Sequence, residues 1–206
     1  HEGSPFKAEP CHVNCDCGRF MEIGNNVFME YIKSKDGFEQ LPNKNVDFGG
    51  GLERMVAAKH DNPDVFFGDL FDGVRKAIES ASGKTYAKDG EETKAFRVIM
   101  DHIRAATFLI ADGAVPSNKD QGYFTRRLLR RAIRFAGHLG VQQHVCLPIA
   151  TAVIETYKGA YPQLQTRRDS ILAEMNKEEE KFRKTLQAGL KEFEKLVGQA
   201  AITGEQ

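Results

Sequence analysis

The 206-residue chain is 41% hydrophobic, enough to bury a core, and its 29 lysines and arginines balance 29 aspartates and glutamates. A formal net charge of zero excludes any global argument for a nucleic-acid or membrane partner, so such an argument has to be local. No apolar run approaches the roughly 20 residues of a bilayer span, no secretory signal pattern opens the chain, and its few cysteines do not make a disulfide scaffold, so the expected compartment is the cytoplasm.

The chain starts with His1 rather than methionine, which reads as a piece of a longer protein. Its opening stretch PCHVNCDCG holds Cys11, His12, Cys15 and Cys17. Soft ligands at this density suit zinc, but no second pair follows at finger spacing and Cys-x-Cys strains a tetrahedral site. His60, His102, His138 and His144 offer remote ligands without anything to select one, and no bound metal is expected. Two strands follow: Phe20–Tyr31, where VFMEYI mixes β-branched and aromatic residues, and a short one around Val46–Phe48.

From Gly51 the texture turns helical. Leu70, Val74, Ala77, Ile78 and Ala81 recur at helical spacing up to Ser82-Gly83, and Phe96, Ile99, Ile103, Ala106, Leu109 and Ile110 do the same up to Asp112-Gly113. Further helices are predicted over Gly122–Gly137 and from His144 to about Lys158. After Pro162 comes one long helix with an apolar stripe of Phe182, Leu186, Leu190, Phe193 and Val197. The fold class expected is α+β, the edge of an antiparallel sheet followed by a bundle of about five or six helices, with a division into 1–65 and 66–206.

In VDFGGGLERM, residues 46–55, glycines 49–51 stand between Asp47 and Arg54 at the start of a helix. Glycine lets backbone N–H groups approach a ligand, a helix start leaves several of them unpaired, and a guanidinium grips phosphate with two prongs, so the stretch suits an anion. A tight strand-to-helix connection with a solvated Arg54 explains the same residues. Neither the phosphate-loop pattern nor the dinucleotide fingerprint is present.

The segment GYFTRRLLRRAIRF, residues 122–135, puts Arg126, Arg130 and Arg134 at successive i, i+4 steps and Arg127 and Arg131 on the adjoining row. With no acidic residue among them, they need an anion from outside the helix, and a phosphate backbone fits. The alternative is pairing with Glu178–Glu180 across the bundle. Before this helix, Pro116-Ser117-Asn118 forms a polar turn in which Asn118 either caps the helix or points its amide outward, where it would read a base edge.

Taken together, VDFGGGLERM, the segment of residues 101–140, the strand FMEIGNNVFMEY and the helix EEEKFRKTLQAGLKEFEKL resemble the alanyl-tRNA synthetases, a class II family, over nearly the whole chain from Phe20. The resemblance implies that 1–65 is the C-terminal part of an antiparallel class II catalytic domain with its motif 3, and 66–206 a helical tRNA-recognition domain. It implies that Asp47 holds the α-amino group of alanine, Arg54 lies against the ATP phosphates, Gly49 and Gly51 line the substrate pocket and Asn25 contacts the amino acid. Asn118 matches the family's reader of the acceptor-stem G·U wobble pair, and Arg126, Arg127, Arg130, Arg131 and Arg134 would lie along that stem. ATP and Mg2+ are implied for the whole enzyme, with zinc confined to an editing domain outside these residues.

The partners so implied are alanine, ATP and the tRNA acceptor stem. Motif 1, the motif 2 arginine and the aspartate that partners the wobble-reading asparagine do not occur in the chain. The family's tryptophan is replaced by Gly24. By itself the chain is therefore expected not to activate alanine, and the alternative function is a non-catalytic acceptor-stem binding module.

Overall fold

The computed structural model describes residues 10–13, 19–87, 90, 92–142 and 144–203. They divide into two compact units, His1–Gly68 and Asp69–Gln206.

In the first unit, β1 (Gly24–Ser34) and β2 (Gly37–Gly50) form an antiparallel hairpin. The turn is Lys35-Asp36, with Gly37 at φ +133° and the Ser34 hydroxyl accepting from Asp36 N–H at 3.2 Å. β2 is far longer than the Val46–Phe48 strand read from sequence, and β1 starts at Gly24 rather than Phe20. The polar run LPNKN lacks strand propensity, and it links two stretches of β2 that do pair with β1. The ladder accommodates that run at an irregularity: Met29 pairs with Asn45 and Tyr31 with Gln40, so residues 41–44 face Glu30 alone, and Pro42, which has no N–H to donate, sits in this interruption. After β2 come α1 (Leu52–Lys59) and a 3₁₀ turn (Val65–Phe67), whose first N–H groups are served by Asp64 Oδ1 accepting from Phe66 N–H at 3.1 Å.

The second unit holds α2 (Asp69–Ser82), α3 (Thr93–Ala111), α4 (Asp120–His138), α5 (Cys146–Tyr157), α6 (Pro162–Thr166) and α7 (Arg168–Thr203). Its core takes in periodic residues read above, Val74 and Ile78 of α2 and Phe96, Ile99 and Ile103 of α3, together with Leu129 and Ile133 of α4 and Ile149 and Val153 of α5, all of them buried. α3 stops as its Asp-Gly signal dictates. Gly113 takes φ +96°, and Ala114 N–H reaches back to Leu109 O at 2.8 Å, closing the orphan carbonyls of the last turn.

The single long helix expected after Pro162 is broken at Arg167, whose φ and ψ of −101° and 11° depart from helical values and whose guanidinium donates to Ala111 O at the end of α3. The apolar stripe read on α7 is not a core feature: Phe182 is half-buried and Leu186, Leu190, Phe193 and Val197 are exposed, while the fully buried Ile171 and Met175 lie nearer the start of the helix.

Candidate nucleic-acid interface and the glycine-rich strand end

In the first unit the hairpin register sets the site. Asn25 pairs with Gly49 and Val27 with Asp47, so alternation puts Asn25 and Asp47 on the same face as diagonal neighbours, two residues apart in register on opposite strands. Gly49 leaves room for this: a Cβ there would stand 3.2 Å from Asn25 Oδ1. Asn25 itself is steadied by donating from Nδ2 to Glu22 Oε1 at 3.1 Å. Gly24 pairs with Gly50 and belongs to the other face with Phe48, whose ring comes to 2.9 Å of an ideal Cβ built on Gly24. A larger side chain at this position would therefore meet Phe48 rather than the Asn25–Asp47 face.

The three glycines do not form a left-handed turn. Gly49 and Gly50 are extended residues of β2 and Gly51 is the N-cap of α1 at φ −85°, ψ 105°. What the run supplies is close approach, since a Cβ on Gly50 would meet Met55 Cε at 2.8 Å and the Phe48 ring at 3.0 Å. Gly51 N–H donates to Ile23 O at 3.0 Å, and Arg54 Nη1 donates to Glu22 O at 3.0 Å. Arg54 thus braces the first turn of α1 against the chain leading into β1, and as an exposed guanidinium with five donors it has others to offer.

In the second unit α4 sorts its residues by face. Thr125, Leu129, Ala132, Ile133 and Ala136 are buried, while Arg127, Arg131 and Arg134 point to solvent. The five arginines are not equivalent. Arg130 Nε donates to the buried Glu178 at 2.6 Å, and its guanidinium lies 5.1 Å from the Phe182 ring centroid. The internal pairing weighed as an alternative therefore holds for Arg130. Arg131 lies 5.8 Å over Phe135. Its charge adds to a hydrogen bond from His102, which comes first, and to Arg104 in holding the Asp101 carboxyl below its usual range. Arg127 and Arg134 have no ion pair among the described residues, and their charges face water.

The turn leading into α4 is tightly specified. Ser117 N–H donates to Gly122 O at 3.0 Å, the Ser117 hydroxyl donates to Lys119 O at 2.8 Å, and Thr125 Oγ1 donates to Ala114 O at 2.8 Å. A Cβ on Gly122 would come within 2.3 Å of both Ser117 Oγ and Val115 O, so only glycine fits. Asn118 does not cap the helix: Lys119 is the N-cap and no side chain caps it. Asn118 is instead exposed, with Oδ1 accepting from Arg126 Nη1. An open cleft of about 610 Å³ lies beside it, lined by Leu109, Asp112, Val115, Ser117, Lys119 and Gly122 among others.

Three contributors escaped the sequence reading: Gly122, the Arg126–Asn118 hydrogen bond, and the tie of Glu179 to the start of α5. The acidic run that includes Glu178 and Glu179 was visible, but not which arginine or helix start each would meet. Of the cysteine cluster, Cys15 and Cys17 lie outside the described residues. Among the described residues no group of three or more His, Cys, Asp or Glu side chains could hold a metal ion, and no helix is long and apolar enough to cross a membrane.

The chain is 43% identical over 192 residues to an alanine–tRNA ligase of Borrelia hermsii (strain HS1 / DAH), covering 92% of this chain and 32% of that protein. It is 39% identical over 203 residues to an alanine–tRNA ligase of Pelotomaculum thermopropionicum (strain DSM 13744 / JCM 10971 / SI), covering 98% of this chain and 23% of that protein. It thus spans about a third or less of the length of these relatives. The family model described as tRNA synthetases class II (A) matches residues 3–206, and the chain belongs to that family of class II aminoacyl-tRNA synthetases.

Proposed function

We propose that the chain is the part of an alanine–tRNA ligase that carries one wall of the adenylate site and the acceptor-stem recognition helices, with 1–65 serving the first and 66–206 the second. The whole enzyme joins the alanine carboxylate to the α-phosphate of ATP, releasing pyrophosphate. It then passes alanine to the terminal ribose of its tRNA, releasing AMP. In this chemistry no side chain of the chain is a nucleophile; catalysis is positioning and charge stabilisation. Asp47 would hold the substrate ammonium, with Asn25 beside it on the same face, and Arg54 would meet phosphate oxygens. The substrates are alanine and ATP. Magnesium assists such phosphoryl chemistry, but the described residues form no cluster fitted to hold it, and no step among them runs through it.

The apolar residues on both faces of the hairpin, Val27, Phe28, Val46 and Phe48, are exposed, which supports its belonging to a wider antiparallel sheet. Without the motif 2 arginine the chain should not exchange pyrophosphate into ATP by itself, and measurable exchange would overturn that part of the reading.

The observation that carries the recognition half is the outward pair Arg127 and Arg134 on α4, uncompensated among the described residues and on the helix that follows the Asn118 turn. Phosphate contacts predict that log affinity for an acceptor-stem hairpin falls linearly with log salt, and that Arg127→Ala with Arg134→Ala lowers the slope by about 2. A slope unchanged by the double substitution would remove α4 from the interface. A non-catalytic acceptor-stem module is the second reading, favoured by the compactness of Asp69–Gln206 as a unit that contains the whole of α4.

A further inference from the structure

We infer that Arg126 is not a phosphate contact but the positioning residue for Asn118, and that it makes the Asn118 amide an outward-facing donor. This rests on the reading that Asn118 meets the acceptor stem. Arg126 differs from its neighbours: Arg127 and Arg134 are exposed, whereas Arg126 is half-buried, its guanidinium lying 5.5 Å from the Tyr123 ring centroid and donating from Nη1 to Asn118 Oδ1. Ring and amide together hold the guanidinium in place.

The chemistry of the pair fixes the amide's orientation. An arginine has donors and no acceptor, so the atom of Asn118 that faces it must be the oxygen. Nδ2 then remains as the free end, with no partner among the described residues. The α4 backbone does not compete for the side chain, because the N-cap is Lys119 and the turn is closed by Ser117, Gly122 and Thr125 instead. The amide is thereby presented as a donor, and the base edge it meets has to accept. Without Arg126, Asn118 would sample several rotamers and both amide orientations, losing discrimination while still touching RNA.

Acceptor-stem hairpins carrying G·U or G·C are titrated by fluorescence anisotropy over a salt series, with the 206-residue chain and its variants. Arg126→Ala should lower the preference for G·U by about five- to tenfold while leaving the salt slope unchanged. Arg134→Ala, the phosphate control, should lower the slope by about 1 and leave the preference intact. Arg126→Lys, which still donates, should restore part of the preference. Asn118→Asp, which keeps an acceptor for Arg126 but has no N–H, should abolish it.

A lowered slope with intact preference in Arg126→Ala would make Arg126 a phosphate contact and overturn the inference, as would retained preference in Asn118→Asp. If the unaltered chain does not distinguish the hairpins, the reading of Asn118 as a stem contact falls by itself. Positioning is then decided in the RNA-free protein by the Asn118 side-chain amide resonances. Arg126→Ala should move them toward those of a free asparagine, and unchanged resonances would overturn it.

Discussion

Glu179 is 2% exposed, yet both its oxygens are in use. Oε1 accepts from Val145 N–H at 3.0 Å and from Arg183 Nε and Nη2 at 2.9 and 2.7 Å, and Oε2 accepts from Cys146 N–H at 2.9 Å. α5 has no side-chain cap of its own, so this carboxylate caps it from α7, with its charge at the positive end of the helix. Glu179→Ala strands two buried backbone donors, at about 1–3 kcal/mol each, and leaves Arg183 without its carboxylate. The Arg183 side chain is 21% exposed, so water takes up part of that charge and the total settles at about 3–5 kcal/mol. Glu179→Gln keeps one oxygen but turns an NH₂ toward a donor, for about 2 kcal/mol. Urea unfolding followed by circular dichroism measures both. An alanine variant that loses less than about 1 kcal/mol at unchanged m-value would show that α5 does not depend on this cap.

Gly122→Ala should cost about 1–3 kcal/mol in thermal unfolding, because one of the two atoms its Cβ would strike is the backbone oxygen of Val115, which cannot swing aside; an unchanged melting temperature would contradict the tight turn. Burial first, and then Glu179, push the Cys146 thiol well above its usual range, so the native protein at pH 8 should leave Cys146 unalkylated by iodoacetamide until it unfolds, as read by peptide mass mapping. The Asp101 carboxyl is held below the usual carboxylate range, chiefly by the His102 hydrogen bond. Its contribution to stability is therefore complete above about pH 4 and is lost as pH falls through the lower folded value, and Asp101→Asn should flatten the acid limb of the stability curve below pH 4.

How legible the molecule was in its sequence depended on the range of the interaction. The helical periodicity of Val74–Ile78 and Phe96–Ile110 and the Asp112-Gly113 stop are local signals, and they survive folding almost unaltered. The hairpin was harder because LPNKN reads as loop, and folded it is the irregular link between the two stretches of β2 that pair with β1. The stripe from Phe182 to Val197 was correctly periodic, but periodicity does not say what covers a face. The basic helix shows the same limit. Five arginines on one side were plain from spacing, whereas the commitment of Arg130 to Glu178 and of Arg126 to Asn118 depends on side chains 48 and 8 residues away. The run of glycines suggested a turn; folded, it is an extended strand end that lets Phe48 and Met55 close in.

The most direct test of acceptor-stem recognition is the affinity of the chain for one hairpin with the G·U pair against the same hairpin with G·C, each repeated with Asn118→Ala. The G·U form should bind about tenfold more tightly, a preference that the substitution removes while non-specific, salt-sensitive binding persists. Equal affinity for the two hairpins, or a preference that survives Asn118→Ala, would contradict such recognition.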